Sequence, residues 1–103
     1  MPQDLYVIGD ADTVVGFGYA GVRGTVAETA EEAQQAFDTA LHEGRVRILI
    51  ITESAAAMIR DAVDHVRFHV DLPVVVEVPG PEGPHPDRRT LMELIRQAIG
   101  IGI

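Results

Sequence analysis

Cysteine and lysine are both absent from this chain of 103 residues, and serine occurs once. Without cysteine, the protein can form neither disulfide bonds nor a thiolate metal site. No apolar run reaches the roughly 18 residues that read as a membrane-spanning helix. The N-terminus also lacks the basic and apolar regions of a signal peptide. We therefore expect a cytosolic protein that does not insert into a membrane.

Positive charge is scarce as well. The chain has 8 basic side chains against 16 acidic ones, and its formal net charge is −8. A nucleic acid or an anionic membrane is bound by lysine and arginine gathered on one face, whereas the arginines here are scattered along the chain. The composition thus argues against both partners and suits a basic protein partner.

Hydrophobic residues make up 47% of the chain, which is enough to fill the core of one domain. Apolar runs that predict strands alternate with segments that predict helices. This alternation with short connections indicates an α/β fold, a four-stranded parallel sheet in the order 2-1-3-4 with helices on both faces. The strands are expected at residues 5–8, 22–27, 46–51 and 72–79, the second being short or at an edge because Gly24 interrupts it.

Short polar side chains predict where the helices begin. Asp12 is expected to cap the first helix, over residues 13–19. Thr29 and Glu32 have the spacing of a capping box. Ser54 is expected to cap a third helix, whose apolar stripe continues without a break to Val66.

Three glycines lie close together soon after the first predicted strand. Gly16, Gly18 and Gly21 match the dinucleotide-binding pattern G-x-G-x-x-G. In that pattern the first glycine forms the tight turn straight after the strand, where backbone N–H groups approach the pyrophosphate. Gly16 lies seven residues after Gly9, which ends the strand, and therefore falls inside the first helix. We expect no dinucleotide site, and expect the glycines to allow close packing on a neighbour or to break the helix near Gly18.

Acidic side chains gather at the carboxyl ends of the predicted strands, where ligands of open α/β sheets bind. Asp10 and Asp12 follow the first strand, Glu28 the second and Glu53 the third. A phosphoacceptor receiver domain also needs an aspartate that ends strand three and a lysine further on, whereas this strand ends at Thr52 and the chain has no lysine. We interpret the acidic residues as helix caps and solvated carboxylates. A free-standing receiver-like signalling domain remains the alternative.

Two other patterns are candidate sites. Asp61, His65 and His69 are spaced four apart, so on a helix they share one face and could hold a metal ion. Because no cysteine or H-E-x-x-H motif accompanies them, an exposed helix end is the better interpretation. Ser54 lacks the G-x-S-x-G context of a nucleophile. The sequence therefore predicts no catalytic residue, no cofactor and no metal site.

The C-terminal part differs from the body, which we assign to residues 1–79. Residues 80–86 are rich in glycine and proline and predict a joint. Residues 87–103 predict a final helix, with a stripe of Leu91, Leu94, Ile95 and Ala98. One stripe suffices to dock a helix on its own sheet, so the additional apolar residues indicate a partner surface. These additional residues are Met92, Ile99, Ile101 and Ile103.

Several segments together resemble the F subunit of the rotary A-type/V-type ATPases. They are residues 16–21, read as G-F-G-Y-A-G, residues 52–53 after strand three, residues 72–80, and the closing residues 98–100. The resemblance covers nearly the whole chain. It implies a Rossmann-like, receiver-like body with a mobile C-terminal helix, and no nucleotide site.

The resemblance also implies a role. The F subunit is a non-catalytic central-stalk protein that pairs with the D subunit beneath the ring of A and B subunits and helps couple ATP hydrolysis or synthesis to ion transport. It is cytoplasmic and peripheral to the membrane as part of the ATPase complex. We expect the partner-binding residues to be Phe17, Tyr19, Leu91, Met92, Leu94, Ile95, Ile99, Ile101 and Ile103.

Overall fold

Four parallel strands form one sheet in a computed structural model, which describes residues 4–81. Their order is β2-β1-β3-β4, which confirms the predicted α/β fold and strand order. The strands are β1 (Leu5–Gly9), β2 (Arg23–Val26), β3 (Ile48–Thr52) and β4 (Val74–Val78). The helices are α1 (Ala11–Tyr19), α2 (Ala30–Glu43), α3 (Glu53–Met58) and α4 (Arg60–His69). The predicted final helix over residues 87–103 lies outside the described residues.

The two faces of the sheet carry separate apolar clusters, because side chains alternate along each strand. On one face, Ile8, Leu49, Ile51 and Val75 pack with residues of α2, α3 and α4, including Phe37, which is 1% exposed. On the other face, α1 packs on a smaller cluster around Val7, Val22 and Ile50. Helices therefore lie on both faces of the sheet, with α2, α3 and α4 on one face and α1 alone on the other in the described part of the chain.

The second strand is short and lies at an edge, as Gly24 predicts. A Cβ at this position would collide with the Val7 side chain and lie 2.6 Å from the Val7 carbonyl oxygen. On the α2 side, the Tyr6 and Thr25 hydroxyl groups form a hydrogen bond. Arg23 lies over the Tyr6 ring and bridges to Glu43 at the end of α2. Only glycine fits against β1 here, and polar contacts hold the edge strand to the body.

The predicted cap of the first helix is wrong by two residues. Asp10, rather than Asp12, caps α1, because the strand leads directly into the helix and leaves Asp10 in an extended conformation before the first turn. The Asp10 carboxylate accepts hydrogen bonds from the Thr13 N–H and the Thr13 hydroxyl, at 2.9 and 2.7 Å. Asp12 lies within the first turn, where a negative charge also interacts favourably with the helix dipole.

The third predicted helix also needs two corrections. Thr52 caps α3 in place of Ser54, its hydroxyl accepting from the Ala55 N–H at 3.2 Å. The helix is broken at Ile59, where φ is −130° and ψ is 41°, so that α3 and α4 are separate. Ile59 itself is buried, as are Ala56 before the break and Val63 after it. Because the buried apolar residues continue across the break, the apolar stripe alone does not reveal where α3 ends and α4 begins.

The second helix follows its sequence signals closely. The Thr29 hydroxyl accepts from the Glu32 N–H, and the Glu32 carboxylate accepts from the Glu28 N–H. The helix ends at Gly44, whose φ of 74° lies in the left-handed region that favours glycine. The capping box and the glycine stop therefore set both ends of α2.

Glu77 connects the edge strand β4 to α4. Its side chain is 3% exposed, and its carboxylate accepts two hydrogen bonds from Arg60 at 2.7 and 3.0 Å. Arg67 donates a third at 2.9 Å. The hydrogen bonds from Arg60 lower the pKa of Glu77 and outweigh the opposing effect of its burial. The paired arginines thus keep a buried carboxylate charged.

We expect the substitution Glu77→Gln to lower the free energy of unfolding near neutral pH by about 1.5–3 kcal/mol, the range for hydrogen bonds to charged groups. Because the pKa of Glu77 is lowered in the folded state, its contribution is fully present above the unfolded value of about 4.3 and is lost as the pH falls through the folded value. Urea unfolding at a series of pH values should show the difference from wild type shrinking below about pH 4.

Glu43→Gln is the matched control for this experiment. It breaks the Arg23–Glu43 bridge, whose side chains are 47% and 29% exposed, so we expect a loss of at most about 1 kcal/mol. An equal loss in both variants would contradict the structural importance assigned to Glu77.

Candidate functional site

The carboxyl ends of the strands form a cleft, as expected for an open α/β sheet. Asp10, Asp12, Glu28 and Thr52, which the sequence places at the strand ends, line it together. Glu53 lies in the first turn of α3. Thr52 is 2% exposed and is used as a helix cap. No group of three His, Cys, Asp or Glu side chains in residues 4–81 could hold a metal ion.

The N-terminus of α1 is the place where a parallel α/β fold would bind a phosphate. Here the Asp10 carboxylate occupies that position and accepts from Thr13. Partial burial raises the pKa of Asp10, but the hydrogen bonds from Thr13 outweigh this effect and leave the pKa below its ordinary value. A fixed negative charge at this point repels the anion that a nucleotide would place there.

The glycines of the G-x-G-x-x-G match are placed as their spacing predicts. Gly16 and Gly18 lie within α1, away from the turn after β1. Gly21 follows the helix with a φ of 88°, and its N–H donates to the Gly18 carbonyl oxygen at 2.9 Å. Only Gly21 therefore has a conformation that requires glycine.

Gly16 and Gly18 have open space where a side chain would lie in the described part of the chain. A Cβ built at either position meets no heavy atom within 4 Å there. Close packing of these two glycines on another described element, one of the two expectations from the sequence, is thus not found. Glycine inside a helix costs about 1 kcal/mol relative to alanine, so the open space leaves both glycines without an explanation in residues 4–81.

The outer face of α1 is unusually apolar for an exposed helix. Its single charged residue is Asp12, and no basic residue lies in the last turn. Tyr19 is 89% exposed and Val15 is 55% exposed. Sequence reasoning missed Val15, although it lies four residues before Tyr19 and so shares its face.

The two predicted partner-binding residues on α1 lie on different sides of it. Tyr19 projects to the surface, whereas Phe17 is half-buried and packs against the cluster around Val7 and Ile50. The other seven predicted partner-binding residues lie outside the described residues. They are Leu91, Met92, Leu94, Ile95, Ile99, Ile101 and Ile103.

The histidines on α4 lie at the surface. The rings of His65 and His69 are 5.0 Å apart between centroids, and both residues are exposed. Phe68, which no sequence pattern singles out, lies between them in the chain and is 72% exposed. None of the helices between residues 4 and 81 has the length and apolar character needed to cross a membrane.

The comparison with known proteins shows the family of the chain. The ATP synthase (F/14-kDa) subunit family matches the chain over residues 5–96. The A-type ATP synthase F subunit of Methanothermobacter thermautotrophicus is 36% identical over 98% of this chain and 96% of its own. The V-type ATP synthase F subunit of Thermus thermophilus is 32% identical over 96% of this chain and 98% of its own. The chain therefore belongs to the ATP synthase (F/14-kDa) subunit family, which contains the F subunits of A-type and V-type ATP synthases.

Proposed function

We propose that this chain is a non-catalytic subunit in the central stalk of an A-type/V-type rotary ATPase. In this role it binds the D subunit, lies close to the ring of A and B subunits, and helps couple ATP hydrolysis or synthesis to ion transport. It is cytoplasmic and held at the membrane only through the complex. Membership of the F-subunit family over residues 5–96 supports the assignment.

The observation that carries the proposal is the apolar outer face of α1. A helix on the surface of a protein normally presents charged and polar side chains to water. Here Tyr19 and Val15 are mostly exposed, and Asp12 is the only charge. Tyrosine combines a large apolar ring with a polar tip and is common at protein interfaces. The face therefore suits a protein partner.

The glycines favour an extended partner segment, such as a helix, on this face. Gly16 and Gly18 leave the outer surface of α1 without side chains at two positions, so that a partner backbone can approach closely. The whole chain carries a net charge of −8, and Asp12 is the only charged residue of α1. A partner helix with apolar contacts and flanking basic residues would be complementary to it.

The final segment completes the proposed partner surface. The apolar residues beyond its stripe, which are Met92, Ile99, Ile101 and Ile103, are assigned to contacts with the D subunit or with the A and B subunits. The sequence also predicts partner contacts for three residues of the stripe. In the assembled complex these are Leu91, Leu94 and Ile95.

Two features support a non-catalytic role. The Asp10 carboxylate caps the helix end at which a nucleotide phosphate would bind. The end of β3 carries Thr52, a buried helix cap, where a receiver domain would have its phosphoacceptor aspartate. Both the nucleotide-binding alternative and the receiver-like alternative therefore have weaker support than the stalk role.

We expect no binding of ATP, ADP or NAD by the purified chain at millimolar concentrations. The reason is the negative charge of Asp10 at the N-terminus of α1, together with glycines that lie inside the helix. Isothermal titration calorimetry tests this directly. Saturable heat that disappears when a bulky side chain is introduced by Gly16→Leu would show that the glycine segment does bind a nucleotide.

We expect the substitution Tyr19→Asp to weaken binding to the D subunit by about thirtyfold or more, which corresponds to the roughly 2 kcal/mol of an interface hot spot. Because Tyr19 is 89% exposed, the thermal stability of the isolated chain should barely change. Affinity is measured with the purified D subunit by calorimetry or by surface-based binding measurements.

The matched control is Phe68→Asp. Phe68 is also an exposed aromatic residue, at 72%, but it lies on α4 on the opposite side of the sheet. Binding within about twofold of wild type is expected for this variant, since surface positions outside an interface contribute little. Near-normal binding by Tyr19→Asp, or an equal loss in both variants, would contradict the α1 surface.

A further inference from the structure

Charge is distributed unevenly between the two ends of the sheet. All four helices in residues 4–81 have an acidic residue in the first turn. Because α1, α2 and α3 each begin beyond the carboxyl end of a strand, their acidic residues gather at that end. The carboxyl end of the sheet is therefore strongly negative. The acidic residues at or just beyond the strand ends are Asp10, Asp12, Glu28, Glu31, Glu32 and Glu53.

The amino end of the sheet, where the strands begin, carries most of the arginines of residues 4–81. Arg23 is the first residue of β2, and Arg45 and Arg47 lie directly before β3. Arg67 is in the last turn of α4, which leads back to the start of β4. Four of the five arginines in this part of the chain are thus at the amino end. The overall charge of −8 does not reveal this difference between the two ends.

A groove of about 580 Å³ opens at the amino end, between the end of α2 and the connection from α4 into β4. We call it the amino-end groove. Its charged lining residues are Asp4, Arg45 and Arg47, and both arginines are exposed. Leu72 and Pro73 form an apolar wall, and Leu72 is 49% exposed. The groove therefore combines positive charge with an accessible apolar surface.

The main chain of Arg47 is fixed on two sides. Its N–H donates to the Asp4 carbonyl oxygen at 2.7 Å, and its carbonyl oxygen accepts from the Val74 N–H at 2.8 Å. Val46, the residue before it, is 5% exposed and belongs to the large apolar core. The exposed Arg47 side chain thus starts from a rigid base, so little main-chain entropy is lost when it binds a ligand.

We propose that the amino-end groove binds an acidic segment of a protein partner. Carboxylates of this segment pair with Arg45 and Arg47, since a guanidinium group matches a carboxylate with two parallel hydrogen bonds. An apolar side chain of the same segment packs on Leu72. Charge complementarity directs the segment to the amino end and away from the acidic carboxyl end of the sheet.

A segment with carboxylates fits the groove better than a polyphosphate or a nucleic acid. Phosphate backbones are bound by several lysines and arginines on one face, whereas this chain has no lysine and Asp4 lines the groove. Leu72 and Pro73 also offer an apolar contact that a phosphate group cannot use. These observations favour a protein partner that carries both acidic and apolar side chains.

The amino-end groove is separate from the α1 surface to which we assign the D subunit. Its lining in residues 4–81 comes from Asp4, residues 41–47 and residues 72–73, and not from α1. The two surfaces therefore predict two different contacts. The groove can be tested on the chain alone, so the result does not depend on the proposed stalk function.

The test uses a dye-labelled synthetic peptide with the sequence Glu-Leu-Glu-Glu-Leu-Glu, whose binding is followed by fluorescence anisotropy at low salt. We expect saturable binding with a dissociation constant below about 1 mM, which weakens as added salt screens the charges. Arg47→Gln should weaken it at least about tenfold, the effect of losing a hydrogen bond to a charged group. Absence of saturable binding to the wild-type chain would overturn the proposal.

Arg23→Gln is the matched control, because it removes the same charge from the same end of the sheet but outside the groove. Its effect on the dissociation constant should not exceed about threefold, since salt screens a charge at a distance. An equal loss in both variants would show that only the net charge matters and would refute the site.

Two further measurements identify the kind of ligand. Leu72→Ser should weaken peptide binding by about threefold or more because an apolar contact is lost, and circular dichroism confirms that each variant is folded. Inorganic triphosphate is then titrated as a competitor and should displace the labelled peptide less effectively than the unlabelled peptide does. Stronger displacement by triphosphate, or normal peptide binding by Leu72→Ser, would refute an acidic protein segment in favour of a phosphate ligand.

Discussion

Both faces of a parallel sheet need cover, and this constraint shapes the rest of the molecule. The connections between consecutive strands place α2, α3 and α4 on one face and leave α1 on the other. The heavily covered face holds the large core around Phe37, and Glu77 joins its outermost helix to the edge strand through Arg60 and Arg67. The lightly covered face carries α1, whose only charged residue is Asp12.

The cleft at the carboxyl ends of the strands would host the chemistry of many α/β proteins, but here its polar groups serve the fold. Asp10 caps α1 and Thr52 caps α3, so a carboxylate and a hydroxyl that could serve a ligand are hydrogen-bonded to their own helices. The most distinctive surface is instead the outer side of α1. A binding role is consistent with both facts, because it needs a complementary surface rather than a reactive group.

Sequence patterns were sufficient for the strands, their order and the capping box at Thr29, because these depend on local periodicity and cap chemistry. The caps at Asp10 and Thr52 were misplaced because each strand leads into its helix without a loop, so the cap is the residue that ends or directly follows the strand. The break at Ile59 leaves the buried stripe unchanged and has no separate signal. Which side of α1 meets the sheet depends on tertiary packing, and for that reason Phe17 and Tyr19 could not be told apart from the sequence.

The proposed stalk function depends on binding of the D subunit by the outer face of α1. Hydrogen–deuterium exchange of the full chain, alone and with the purified D subunit, measures this for every backbone amide at once. We expect the amides of Ala11–Tyr19 to exchange at least tenfold more slowly in the complex, and those of Arg60–His69 to be unchanged, because α4 lies on the opposite face. Unchanged exchange in α1, with new protection confined to α4 or to the edge of β2, would contradict it.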